Sequence, residues 1–178
     1  MSDSTTLSRE RLDLLEALQA HRGFLRHTAE GLTDEQARER STVSELTIGG
    51  LIKHVADTEL GWAKFMAGEG LPGSGEEIDW TNPDPALIEA YANGFVLLPE
   101  ETLAGVLAEY ERVAAATDEL VATLDLDVDH PLPPAPWFPP GGTRTVRRAI
   151  VHIVAETAQH AGHADIIREA IDGQKTMG

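Results

Sequence analysis

The side chains best able to do chemistry in this chain stand near its C-terminal end. His152, Glu156 and His160 recur at intervals of four, and His163 follows three positions later. On an α-helix this spacing puts all four on one slowly drifting face. Such a face is either solvated or turned inward with its charge balanced. The neighbouring Ile150, Ile153, Thr157, Ala161 and Ala164 are only moderately apolar, so the helix has to bury a wide arc, which favours the inward reading. A buried Glu156 then costs on the order of several kcal/mol unless it is neutralised. A divalent cation does that. Glutamate and histidine one turn apart offer a hard oxygen and a borderline nitrogen, a pair that suits zinc, nickel or iron(II).

Spacings of the Glu-x-x-x-His kind also arise by chance, so a third ligand must come from another helix. His54 is the best candidate, because it shares the inward face of its own segment with Leu51 and Trp62. The expected ligands are therefore His54, Glu156 and His160, around one divalent metal, with zinc the leading choice. His163 competes with His160 if the helix is rotated. His152, His163 and Trp62 are the residues expected to back the ligands or line a pocket, although a purely structural His152 fits the pattern as well. His21 reads as a packing residue on an inner stripe, and His27 and His130 belong to no constellation. Trp137 and Phe138 either cover the metal mouth or anchor their own loop.

Four stretches carry the helical period needed to position these groups. The first runs from about Ser8 to Glu30, with Leu14, Leu18, His21, Leu25, Thr28 and Leu32 as its inward stripe. A capping-box pattern, Thr33-Asp-Glu-Gln36, predicts a short helix over 33–40. The second long helix spans about 47–67, ended by Gly68 to Gly75. The third follows Pro99, with Leu103, Val106, Tyr110, Val113, Thr117 and Leu120 on one stripe. The fourth runs from Thr143 or Thr145 to Asp172, where Gly173 stops it. Of the two long connections, Glu76 to Leu98 holds a short helix at 85–93, and Asp125 to Gly142 contains PLPPAPWFPPGG, which cannot be helical. Strand signals are nearly absent. The expected fold is all-α, a single-domain four-helix bundle over 1–178 with long crossover connections and short extra helices.

Composition removes several alternatives. The 178 residues contain no cysteine, which excludes disulfides, thiolate metal sites and a cysteine nucleophile. Fourteen basic against 30 acidic side chains give a net charge of −16, which repels a phosphate backbone. Arg144, Arg147 and Arg148 form the largest basic cluster and read as a local feature. No apolar run spans a bilayer, and Met1 to Gln19 lacks the apolar core of a signal peptide. A cytoplasmic protein that binds neither nucleic acid nor membrane is expected.

Three segments carry a resemblance: GLTDEQAR (31–38), LTIGGLIKHVADTE (46–59) and HIVAETAQHAGHADIIREAIDG (152–173). With them the chain resembles the DinB-like superfamily of metal-binding four-helix bundles, closest to the branch around the N-terminal domain of mycothiol-dependent maleylpyruvate isomerase and the thiol S-transferases. The resemblance implies that His54 is the family's helix-2 ligand, and that Glu156 and His160 are its helix-4 pair. The full isomerase has a further domain that supplies a substrate-binding arginine. This chain ends at Gly178, so the expectation is the smaller single-domain version. It implies transfer of a low-molecular-weight thiol, mycothiol or similar, to small electrophiles. A metal-dependent hydrolase and a non-catalytic metal-binding stress-response protein use the same ligands and stand as alternatives. A homodimer is also expected, because wide apolar arcs on four helices favour pairing.

Overall fold

Each helix begins where a short polar side chain can take up a free backbone amide. Ser8 caps α1 (Arg9–His27), Thr33 caps α2 (Asp34–Ala37) and Thr47 caps α3 (Ile48–Met66). Asp84 caps α4 (Pro85–Asn93), Thr102 caps α5 (Leu103–Thr123) and Thr145 caps α6 (Val146–Asp172). Caps of this kind stabilise a helix by about 1 kcal/mol each. The Thr33–Gln36 capping box forms in full, and Gly173 ends α6 in the left-handed region at φ 80°, a conformation open to glycine at no steric cost. These features belong to a computed structural model that describes residues 7–71 and 78–176. The Pro72–Gly75 part of the expected α3 terminator, the start of the following connection at Glu76 and the first six residues lie outside the described residues.

The four long helices form the bundle. α3 packs along both α5 and α6, and α1 packs along α6 and less extensively along α5. The order around the bundle is therefore α1, α6, α3, α5. Crossovers fall in the connections 28–47 and 124–145, which join helices on opposite corners. The connection 67–102, although long, joins neighbours. α3 is buried on most of its circumference, because besides α5 and α6 it is covered by α2 and by the connection bearing Phe95 and Leu97.

Two features differ from the sequence expectation. A two-stranded antiparallel sheet pairs β1 (Asp129–Pro131) with β2 (Thr143–Thr145), with His130 opposite Arg144. Three residues on each side are too few to leave a periodic signal. In α1, the stripe that put His21 inward is displaced by one position: Arg22 is the buried residue, with Leu18 and Leu25 above and below it, and His21 is half-buried against Phe24.

Apolar packing falls into two clusters. One gathers Leu25, Ile48, Leu51, Ile52, Val55 and Ile167, and the other Leu18, Trp62, Phe65, Val121, Ile150 and Ile153. Charged groups lie between them along the chain. Arg22, 2% exposed, reaches from α1 to Glu59 of α3, 1% exposed. Its Nε donates to Glu59 Oε2 at 3.2 Å, and its Nη1 donates to Asp118 Oδ1 at 2.7 Å. Burial opposes the guanidinium charge, but the Glu59 and Asp118 carboxylates outweigh it and raise the Arg22 pKa. A second buried arginine, Arg168, donates to the carbonyls of Thr28 and Glu30, both at 2.8 Å. It thereby places positive charge where the α1 dipole is negative. Among the described residues, no helix is long and apolar enough to cross a membrane.

Candidate metal centre

The packing of α3 on α6 sets His54 opposite the Glu156–His160 turn. Glu156 Oε1 lies 3.3 Å from His54 Nε2 and 3.2 Å from His160 Nε2. The two imidazole centroids are 5.0 Å apart, with their planes at 81°. One donor atom from each of the three side chains falls within 4.8 Å of the others. Two imidazole nitrogens and a carboxylate oxygen at that spread fit a single divalent cation, whose bonds to such donors are about 2 Å long. This is the one such grouping of three among the described residues.

The surroundings fix the donors. The His54 ring stacks on Phe95, with centroids 3.9 Å apart and planes at 20°. Phe95 comes this close because α3 carries no side chain at Gly50, where an added Cβ would lie 1.9 Å from the Phe95 carbonyl oxygen. His160 is buried, and its Nδ1 is 3.3 Å from His163 Nδ1. That contact engages one ring nitrogen and leaves Nε2 to face Glu156. His163 therefore stands behind His160 and outside the converging donors. The hydrogen bond from His160, then that from His54, holds the Glu156 carboxyl far below the usual carboxylate range, against the effect of its burial. The glutamate is anionic at neutral pH.

Beside the triad opens a cavity of about 650 Å³, with His54, Trp62 and His152 in its wall. His152 packs on Trp62 at 4.7 Å between centroids. Burial pushes its imidazole below the ordinary histidine value, with Glu156 opposing and Arg144 and Arg148 adding to the effect. Trp137 and Phe138 also line this cavity, along with Trp80, which meets Trp137 edge-on at 4.6 Å. The other histidines lie elsewhere: His27 contacts Glu30 at 3.1 Å, and His130 contacts the Met66 carbonyl at 3.1 Å.

Phe95 and Trp80 do not stand out in the sequence, and Arg144 stands out there only as one of three basic residues. Phe95 sits in a connection and stacks on His54 from 41 positions away, so no local period marks it. Arg144 reads in one dimension as part of a basic run. In three dimensions Arg147 pairs with Glu10 and Asp127, whereas Arg144 turns into the cavity wall.

Fold and site together define a helical-bundle protein with a His-Glu-His candidate metal centre on facing helices. Residues 13–173 match the mycothiol-S-transferase family, and the chain belongs to that family. Among solved structures it is similar to a conserved protein of Enterococcus faecalis, with a TM-score of 0.60 at 16% identity, over 95% of this chain and 100% of that one. At that identity the likeness speaks to the fold. No curated protein matches the chain.

Proposed function

We propose that this protein is a metal-dependent S-transferase that joins mycothiol, or a similar low-molecular-weight thiol, to small electrophiles. The observation that carries the reading is the convergence of His54, Glu156 and His160 beside an aromatic-walled cavity, in a chain of the mycothiol-S-transferase family. The same three side chains would hold one divalent cation, with zinc the best match to two imidazoles and a carboxylate and with nickel or iron(II) also compatible. When bound, the cation stabilises the thiolate form of a ligated thiol and so supplies a nucleophile near neutral pH. A chain without cysteine needs such an exogenous thiol.

The residues divide the remaining work. Glu156 contributes the negative charge that balances the cation, and Phe95 and His163 fix the rings of His54 and His160. Trp62, Trp80 and Trp137 enclose the electrophile and limit water. In the transfer a sulfur–carbon bond forms at the electrophilic carbon. The displaced bond's electron pair leaves with its leaving group, or moves to the adjacent carbon of a double bond, which then takes a proton. The thiol proton passes to solvent. We place the protein in the cytoplasm, as a homodimer.

The test combines metal content with transfer to a bromobimane. About one divalent ion per chain is expected, lost in each of His54→Ala, Glu156→Ala and His160→Ala. Metal retained at full stoichiometry in Glu156→Ala moves the site to His160 and His163. Chelated protein and His160→Ala should fall to the uncatalysed rate with mycothiol. Hydrolysis of ester or amide substrates without thiol would replace this reading with a hydrolase, and silence in every arm with a non-catalytic metal protein.

A further inference from the structure

Arg144 is the cation of this cavity, and among the described residues it is uncompensated. It stands at the centre of β2, directly opposite His130 of β1. His130 ties that hairpin to the end of α3 through the Met66 carbonyl. The Arg144 guanidinium carbon lies 5.0 Å from the Trp62 ring centroid and 5.2 Å from that of Phe138. Its Nη1 is buried with no hydrogen-bond partner among the described residues. The other arginines in the bundle interior and at its C-terminal end are arranged differently. Arg22 meets two carboxylates, and Arg168 meets two carbonyls and Asp172. Asp57, the one acidic residue among the described residues of the cavity wall, forms no ion pair with Arg144.

An unsatisfied buried nitrogen is costly and uncommon in a folded protein. Arg144 is partly buried at a cavity wall with its Nη1 shut off from solvent, and no acidic side chain among the described residues pairs with it, an arrangement suited to an anionic occupant. Burial, then the field of Arg148, pulls the Arg144 pKa down, which is the sense expected of a cation awaiting a counter-charge. The planar guanidinium fork matches a carboxylate at two points. The aromatic wall beneath it suits a short apolar body attached to that carboxylate.

We propose that Arg144 is the specificity residue of the cavity, binding a carboxylate on the electrophile, so that the substrates are small electrophilic carboxylic acids such as α,β-unsaturated acids. The class of substrate rests on the thiol-transfer reading; the anion site does not.

All three tryptophans of the chain, Trp62, Trp80 and Trp137, line this cavity, so tryptophan fluorescence reports its occupancy without any reaction. The protein is titrated with crotonate and with the isosteric neutral crotonamide, as purified and after chelation. Crotonate should bind at least about tenfold more tightly, the scale of one charge-assisted contact. Arg144→Gln should abolish that preference, and Arg144→Lys, which keeps the charge, should retain part of it. Equal binding of the two probes, or a crotonate preference that survives Arg144→Gln, overturns the proposal. A preference lost on chelation but kept in Arg144→Gln also overturns it, since the metal would then hold the anion.

Turnover with mycothiol separates the two readings. Crotonate binding through Arg144 without any thiol addition leaves the anion site standing and removes the transferase. Metal-dependent transfer with no discrimination between the probes does the reverse. Discrimination between N-acetylcysteine and its amide alone would place the carboxylate on the thiol and overturn the assignment to the electrophile.

Discussion

Arg22, Glu59 and Asp118 form one charged cluster inside the bundle, and His54, Glu156 and His160 form another. Both link α3 to neighbouring long helices, and both contain a carboxylate that takes hydrogen bonds from another helix. They differ in completeness. Around Arg22 the charge is neutralised by the protein itself, and Glu59 is sealed from solvent. Around Glu156 the partners are neutral-capable imidazoles, the carboxylate is half-buried, and a cavity reaches His54. The first cluster holds helices together with parts supplied by the chain. The second presents donors that an added cation would complete.

The strongest test of that contrast is Arg22→Met, which strands Glu59 and should cost about 3–5 kcal/mol in urea unfolding. Removing the sealed carboxylate as well, as Arg22→Met with Glu59→Leu, should recover most of the loss, since Asp118 keeps access to solvent. A single variant close to wild type would show that the cluster is not structurally important.

Metal removal comes next. At free metal a hundredfold above its dissociation constant, binding adds about 2.7 kcal/mol to the native state, and chelation should remove that increment. In chelated protein Glu156→Ala should change stability far less than Arg22→Met does. Comparable losses would mean that the histidine cluster is structural as well.

His163→Phe sharpens the picture of the second cluster. Loss of a group supporting a ligand histidine weakens metal affinity about 10–100-fold, read by competition with a chromophoric chelator, while stoichiometry at saturating metal stays at one. Loss of all binding would make His163 itself a ligand.

The smallest effect belongs to Arg147, half-exposed at the surface. Its hydrogen bonds lower the pKa values of Glu10 and Asp127 from 4.5 and 3.8. A depressed carboxylate pKa contributes stability above the unfolded value, and that contribution is lost as pH falls through the folded value. Arg147→Met should therefore lower the melting temperature slightly at pH 7, with the difference from wild type shrinking below about pH 4. A difference that grows in acid would assign the effect to packing.

The contrast between the clusters also separates what the sequence makes legible from what it does not. Helix starts are local events, so Ser8, Thr33 and Thr47 announce them and the last start is narrowed to Thr143 or Thr145, while Thr102 is placed only as a start somewhere after Pro99. His54, Glu156 and His160 stand out because polar residues at helical spacing interrupt apolar faces. The Arg22–Glu59 pair does not stand out, since a long arginine between leucines reads as a solvated edge while His21 beside it satisfies the stripe. The hairpin that carries Arg144 is also silent, because strands of three residues show no alternation. Phe95 on His54 depends on two segments meeting, which no window along the chain contains.

The bare backbone at Gly50 ties together two parts of the chain that could otherwise change independently. Even one methyl group there would push away the stretch of chain bearing Phe95, and with it the flat ring against which His54 rests. The exposed stretch 85–93 can thus be rewritten to suit a different cavity, provided that the chain after it still crosses α3 at Gly49 and Gly50, where Leu97 and Phe95 pack. Variation in what the cavity accepts is free to accumulate around a crossing that itself tolerates almost none.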